Sequence, residues 1–411
     1  MSGRRVVVTG VGLVSPVGLD VPSAWRALVA GRSGIRRITR FDVSGDEWRV
    51  KIAGEAWGFD PADHMSPKDA RRVDRTTQLA LAAADQAVAD SCLTQVADRD
   101  EIGVIVGCGS GGIETYADAY RTLLDKGPSR MNPFLIPAEV VDAPGVAIAI
   151  RYGFHGPNFA VTSACATGAD AIGTSSELIR GGHADVIVAG GTEAAVHPLG
   201  IGGFDNLRAL SRRNDAPELA SRPFDKERDG FVLAEGAGAL VLEELGHAQR
   251  RGAMPLAEVL AYAVTSDGSH ITAPDPDARQ QARAVARALA RAALSPSDVG
   301  YINAHATGTP LGDPFEIRAY RTVFDRLPPL SSTKSMTGHM LGAAGAAEAI
   351  FTIQALRTST LPPTINQVTP DSECEADVVA NVSRSASIEV AMSSAFGFGG
   401  HNSVLLFRRV D

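Results

Sequence analysis

Cys165 ends the apolar run Pro157-Asn158-Phe159-Ala160-Val161-Thr162-Ser163-Ala164 and precedes a small-residue stretch, Gly168 to Gly182, with helical periodicity. A thiol at a strand-to-helix junction lies near the positive end of a helix dipole. There its pKa can fall from about 8.5 into roughly the 3.5–7.5 range, which makes a nucleophile near neutral pH. A small buried core residue is the competing reading. Its company argues for chemistry. His305 follows Val299-Gly300-Tyr301-Ile302-Asn303-Ala304 and leads into Ala306-Thr307-Gly308-Thr309-Pro310, a strand running into a polar loop. Leu330-Ser331-Ser332-Thr333-Lys334-Ser335-Met336-Thr337-Gly338-His339 repeats that design. Ala395-Phe396-Gly397-Phe398-Gly399-Gly400-His401-Asn402 is a third glycine-rich turn, set before a last strand.

The elements that must position these groups alternate along the chain. Apolar runs predict strands over 5–11, 102–107, 158–163, 184–190, 237–243, 256–264, 299–304, 330–332, 387–391 and 403–407. Helical periodicity predicts helices over 23–30, 74–91 (with Asp74 as the cap), 112–124, 166–180, 277–293, 313–325 and 340–356. Such alternation indicates an α/β fold. The apolar segment 340–356 carries Glu348 and many small residues, so it reads as a core helix and not a membrane span.

Bulk properties are those of a globular chain. Its 411 residues can hold a large core or two domains, and 45% apolar with 21% charged residues are ordinary values. The net charge of −8 argues against nucleic-acid binding and offers no attraction to anionic membranes. Four cysteines (Cys92, Cys108, Cys165, Cys374) lack metal-ligand spacing, so reduced thiols in the cytoplasm are expected, with no metal. Met1-Ser2-Gly3-Arg4-Arg5 leads straight into a strand, so no signal peptide is expected. Gly107-Cys108-Gly109-Ser110-Gly111-Gly112 satisfies G-x-G-x-x-G, yet a loop, not a second strand ending in an acid, follows its helix, which argues against a dinucleotide site. A cysteine-protease reading fails because the local sequence around Cys165 lacks the papain signature.

Thr-Ser-Ala-Cys-Ala-Thr-Gly around Cys165, Asn-Ala-His-Ala-Thr-Gly-Thr-Pro around His305, Thr-Lys-Ser-Met-Thr-Gly-His ending at His339, and Gly-Phe-Gly-Gly at 397–400 together resemble the β-ketoacyl-acyl-carrier-protein synthases of the type II kind. The resemblance runs from Val6-Val7-Val8-Thr9-Gly10 to the last strand and includes Ser221-Arg222-Pro223-Phe224-Asp225 and Asp229-Gly230-Phe231-Val232. It implies a duplicated thiolase-like fold in α-β-α-β-α layers, helices lying between two sheets. One half, residues 1–250, would carry the cysteine and the other, 251–411, the two histidines, with a seam near 246–255.

The resemblance also implies roles. Cys165 would take an acyl chain from an acyl carrier protein, and the N–H groups of Cys165 and Phe398 would form the oxyanion hole, Phe398 also gating the acyl pocket. Neutral His305 and His339 would stabilise the enolate formed when a malonyl thioester loses carbon dioxide, so no cofactor is called for. Lys334 would order the histidines with Glu348 as its partner, and Glu316 and Asp267 would hold the loops. Thr307 and Thr309 would meet the phosphopantetheine arm, and Ser110 and Phe204 would line the acyl pocket. Lys68, Arg71, Arg72, Arg130 and Arg208 match the expected docking positions for an acidic carrier.

Some residues depart from the pattern. Ser110 stands where fatty-acid enzymes of the family often carry a bulky aliphatic, which leaves more room and adds polarity. Asp142 and Pro144 look unusual, and Phe231-Val232-Leu233-Ala234-Glu235 reads like the polyketide ketosynthases. Fatty-acid elongation leads. The alternatives are the ketosynthase of a type II polyketide synthase, paired with a chain-length-factor partner, and a non-catalytic partner subunit, against which Cys165 and both histidines argue. A dimer is implied, identical or mixed, with segment 158–163 at its interface.

Overall fold

The computed structural model describes residues 3–96 and 98–410; Met1 and Ser2, part of the N-terminal lead noted above, lie outside them. Among the described residues, nine strands form one continuous sheet. They are β1 (Val6–Val14), β2 (Ile102–Gly107), β3 (Val186–Glu193), β4 (Gly236–Glu244), β5 (Ala257–Ser266), β6 (Tyr301–Asn303), β7 (Leu330–Ser331), β8 (Val390–Gly397) and β9 (His401–Arg408), in the spatial order β2-β3-β4-β1-β5-β9-β8-β6-β7.

The order is a duplication. Outward from the β1–β5 joint, the first half runs β1, β4, β3, β2 and the second β5, β9, β8, β6, with the same pairing directions: antiparallel, antiparallel, parallel. The third strand of the second half, β7, pairs parallel with β6. Its counterpart is a single parallel bridge between Val104 and Asn158. The two sheets expected from the resemblance thus meet edge to edge, through the antiparallel pairs Val6–Val259, Val7–Glu258 and Val8–Ala257.

The helices that match the expected ones are α1 (Val21–Val29), α2 (Arg75–Asp90), α3 (Ile113–Lys126), α4 (Thr167–Arg180), α5 (Arg279–Arg291), α6 (Gly312–Val323) and α7 (Ala344–Thr358). Asp74 caps α2 as expected, accepting from the Thr76 N–H. α2 covers the outside of β1, β3 and β4, and α5 the outside of β5 and β9. Between the halves lie α4 and α7, each touching strands of both. Small residues allow that depth: every residue from Ala344 to Leu356 is buried. A Cβ at Gly168 would come within 2.6 Å of the Ala346 nitrogen, and one at Gly345 within 2.6 Å of the Ala169 nitrogen, so the two helices cross at backbone contact. Each helix is also entered the same way. Ala164 (φ 50°) begins the turn before α4 and Leu341 (φ 46°) the turn before α7. Both are left-handed positions that non-glycine residues rarely occupy. Gly342 in one half therefore stands where Cys165 stands in the other.

Two expected strands need correction. Segment 158–163 is not a strand: it lies on the sheet's outer edge with only the Asn158 bridge, so no ladder forms. The strand expected over 387–391 begins at Val390 and runs on through Gly397, because the Gly-Phe-Gly-Gly motif is the tight link of the β8–β9 hairpin, Gly397 pairing with His401. Helices Leu135–Glu139, Ala143–Tyr152, Pro198–Asn206 and Leu245–Arg250 were not foreseen; the last occupies the start of the proposed seam. Asp142 and Pro144 sit at the start of Ala143–Tyr152, Asp142 without a side-chain capping bond. No helix of the described residues is long and apolar enough to cross a membrane.

Candidate active site

Three loops from different parts of the chain meet at a cavity of about 590 Å³. Cys165 comes from the turn before α4, His305 from the loop after β6, and His339 from the turn before α7. The Cys165 Sγ and one nitrogen from each imidazole lie within 4.8 Å of one another, all three residues buried. The rings of His305 and His339 meet edge to face at 5.3 Å. Phe231 meets His339 the same way at 5.2 Å and Phe204 meets Phe231 at 5.4 Å, so an aromatic wall supports the imidazoles.

The electrostatics differ from the sequence expectation at the thiol. Burial pushes Cys165 up, from the ordinary 9.0 to about 11, against a hydrogen bond from the Phe398 N–H and the charge of Lys334. The expected fall at a helix N-terminus is outweighed because the turn is buried between two half-domains. Both histidines are held well below the usual imidazole range, by burial first and then by Lys334. They are neutral near pH 7. Neither nitrogen of His339 nor Nδ1 of His305 has a partner among the described residues, which leaves them to meet a bound group.

Lys334 forms a fully buried ion pair with Glu348, the only charged residue in the buried part of α7. Burial pushes the Glu348 carboxyl up to about 7, with Lys334 opposing. Glu316, on α6, accepts from the backbone N–H of His305 (2.7 Å) and Ala306 (2.6 Å) and from the Tyr320 hydroxyl (2.5 Å). It fastens the main chain of the histidine loop. Asp267 accepts from Asn402 Nδ2 (2.7 Å) and the Asp275 N–H (3.0 Å), tying the 267–275 loop to the β8–β9 hairpin. In that hairpin, a Cβ at Gly397 would lie 3.1 Å from the Cys165 nitrogen, and Gly399 has a φ of 82°. Glycine leaves room for the Cys165 turn at 397 and supplies the left-handed conformation at 399.

Thr307, Thr309, Ser110, Phe204 and Phe398 all border the cavity. The remaining expected residues spread over the surface. Lys68, Arg71, Arg72 and Arg130 are exposed, Arg72 lying over the Phe134 ring and 3.7 Å from Asp69, while Arg208 is exposed at the cavity's rim. His270 is exposed and accepts from the Thr272 and Ala273 N–H groups, an ordinary loop contact; His401 is exposed at the start of β9.

Sequence reasoning missed Glu193. It ends β3 fully buried, and accepts from the Ser110 hydroxyl and from the N–H groups of Gly109 (2.9 Å), Ser110 (3.1 Å) and Gly342 (3.0 Å). The G-x-G-x-x-G loop therefore cradles a carboxylate of its own chain, which gives that motif a structural use. A lone acid closing an apolar strand was the available signal. Phe231 was visible only as part of a motif, its stacking on His339 being a matter of tertiary packing.

A buried thiol beside two imidazoles is also a set that could ligate a soft divalent cation. The same atoms can perform covalent catalysis with charge stabilisation.

Comparison with known proteins agrees on one relationship. The family model for the beta-ketoacyl synthase N-terminal domain matches residues 3–248 and that for the C-terminal domain residues 256–368. The chain is 47% identical over 410 residues to a 3-oxoacyl-[acyl-carrier-protein] synthase 2 of Synechocystis sp., covering 99% of this chain and 98% of the relative. Among solved structures, the ishigamide ketosynthase/chain length factor superposes with a TM-score of 0.93 at 35% identity over all of both chains. A chain of the structure described as a type II PKS acyl-carrier protein in complex with its ketosynthase superposes with a TM-score of 0.90, 34% identical over all of both chains. The fold is thiolase-like.

Proposed function

The chain belongs to the beta-ketoacyl synthase family of condensing enzymes, and on that premise we propose that it is a 3-oxoacyl-[acyl-carrier-protein] synthase of fatty-acid synthesis. In this reading it is an acyltransferase that joins an acyl chain held on Cys165 to a malonyl thioester. The observation that carries it is the convergence of the Cys165 thiol and two neutral imidazoles within 4.8 Å.

Sγ attacks the acyl thioester and loses its proton to an imidazole nitrogen in reach. The carrier's thiolate leaves and takes that proton, and the oxyanion rests on the N–H groups of Cys165 and Phe398. A malonyl thioester then enters and its carbon–carboxylate bond breaks, releasing carbon dioxide. The two electrons of that bond form an enolate, whose oxygen accepts hydrogen bonds from His305 and His339. The enolate carbon attacks the acyl carbonyl, the carbonyl–sulfur bond breaks, and Cys165 leaves as a thiolate that takes a proton from solvent, the one proton the condensation consumes. Each donor aimed at developing charge is worth roughly 2.7–4 kcal/mol. The electron pair comes from decarboxylation, so the reading needs neither metal nor organic cofactor.

The acyl carrier protein would be the partner, approaching the rim at Arg208 with Lys68, Arg71, Arg72 and Arg130 as docking charges. Residues 1–250 and 251–411 would be the two functional halves of each subunit, and the subunits would pair as a cytoplasmic dimer. A second reading, a polyketide ketosynthase beside a chain length factor, draws on the 0.93 superposition and on Ser110 at the cavity wall. The 47% relationship favours the first. The test is steady-state condensation with acylated and malonylated carrier proteins: 3-oxoacyl product from the wild type and none from Cys165→Ala supports the reading, and full turnover by that variant overturns it. Mass spectrometry of the natively purified protein separates a lone species from an equimolar pair with a related chain lacking the nucleophile.

A further inference from the structure

Asp170 lies buried in the first turn of α4 and does not border the cavity. A carboxylate at a helix N-terminus suits the dipole, yet an exposed one would serve as well. Burial pushes this carboxyl above the ordinary 3.8, so it is kept inside at a cost. Two hydroxyls offset that cost: Ser163 Oγ donates to one carboxylate oxygen and the Tyr262 hydroxyl to the other, at 3.0 Å. Both donors are buried as well. Gly173 makes room for the tyrosine, since a Cβ there would lie 2.1 Å from the Tyr262 ring.

The two hydroxyls belong to the two segments that carry the oxyanion donors. Ser163 precedes Cys165 by two residues, and Ala164 between them sits at a φ of 50°. A left-handed alanine persists only where its surroundings hold it. Ser163 is held at three points: its N–H donates to Thr167 Oγ1 (2.9 Å), its carbonyl accepts from the Ala166 N–H (3.0 Å), and its hydroxyl donates to Asp170. Tyr262 lies on β5, in the second half. That strand pairs along β9, with Tyr262 opposite Leu405 and Ser266 opposite His401. His401 in turn is opposite Gly397 in the hairpin whose Phe398 N–H reaches the Cys165 thiol.

We propose that Asp170 is a positioning residue: by gripping Ser163 and Tyr262 together, it fixes the Cys165 and Phe398 N–H groups relative to one another and so sets the oxyanion hole. The inference rests on the condensing-enzyme reading and deepens it, giving a buried acid outside the cavity control over the acylation step.

The test compares two reactions of the Cys165 thiol in the full-length protein. Acylation by hexanoyl pantetheine develops an oxyanion, whereas alkylation by iodoacetamide does not. In Asp170→Ala and in Ser163→Ala, single-turnover acylation should fall roughly 10–100-fold, the scale of a displaced oxyanion donor, while alkylation changes less than about twofold. The double variant should lose no more than about the larger single loss, because both changes break one link. Asp170→Asn keeps an oxygen that accepts from Ser163, and its acylation should stay within about threefold of wild type. Equal losses in the two reactions would mean a general loosening of the turn and overturn the assignment, as would acylation unchanged in Ser163→Ala. That variant removes only the anchoring hydroxyl, so it decides the question even if Asp170→Ala does not fold. A wild type that is alkylated but takes no acyl group from the thioester would instead count against the condensing reading.

Discussion

Lys334 and Glu348 form an ion pair with 1% and 2% of their side chains exposed, and the lysine's charge also bears on both imidazoles and on the Cys165 thiol. One buried cation thus adds to the burial that keeps two histidines neutral, while it partly opposes the burial that raises the thiol.

Breaking that pair leaves an uncompensated charge. Lys334→Met or Glu348→Leu alone should cost about 3–5 kcal/mol of stability, and the double replacement Lys334→Met/Glu348→Leu considerably less than the sum. Urea denaturation of the three variants checks this; additive losses would mean the two side chains act independently.

The thiol's reactivity should report its burial. With its ionisation pushed up to about 11, alkylation of Cys165 by iodoacetamide should climb nearly tenfold per pH unit from pH 7 to 9 with no plateau. Lys334→Met should slow it at every pH in that window. A plateau below pH 8 would show that the helix dipole outweighs desolvation.

Gly397→Ala places a methyl 3.1 Å from the Cys165 nitrogen and 3.2 Å from the Ser163 oxygen, at a φ of −90° that alanine accepts. The oxyanion donors must shift by a few tenths of an ångström. We expect single-turnover acylation to fall by roughly 10–100-fold while stability changes by about 1 kcal/mol or less.

Glu316 should leave a mark on the pH dependence of stability. Burial raises its ionisation from the ordinary 4.5 to about 7, so the folded chain holds this proton more tightly than the unfolded chain. Its contribution therefore favours folding below about pH 4.5 and is lost as pH rises to about 7. In Glu316→Gln that part of the slope should vanish, seen as a smaller difference in melting temperature between pH 5 and pH 8.

Much of this site was legible along the chain. His305 follows the end of β6, where a sheet presents side chains to a cavity, while Cys165 and His339 stand out by the small and glycine-containing residues around the turns that precede α4 and α7. Strand 102–107 and the Asp74 cap needed only local periodicity and local hydrogen bonding. The 158–163 segment was misread because apolar alternation does not say whether a neighbouring strand exists.

What the sequence by itself determined was the set of reactive groups, their order and the alternating elements that carry them, since these depend on residue type and short-range spacing. Tertiary structure decided what those groups are. The thiol rises and the histidines turn neutral because α4 and α7 are buried between two half-domains; Glu193 becomes the core of a glycine loop; and Asp170 is tied to Ser163 in one half and Tyr262 in the other. Desolvation and distant charges set these properties, and they arise only when segments far apart in the chain are packed together.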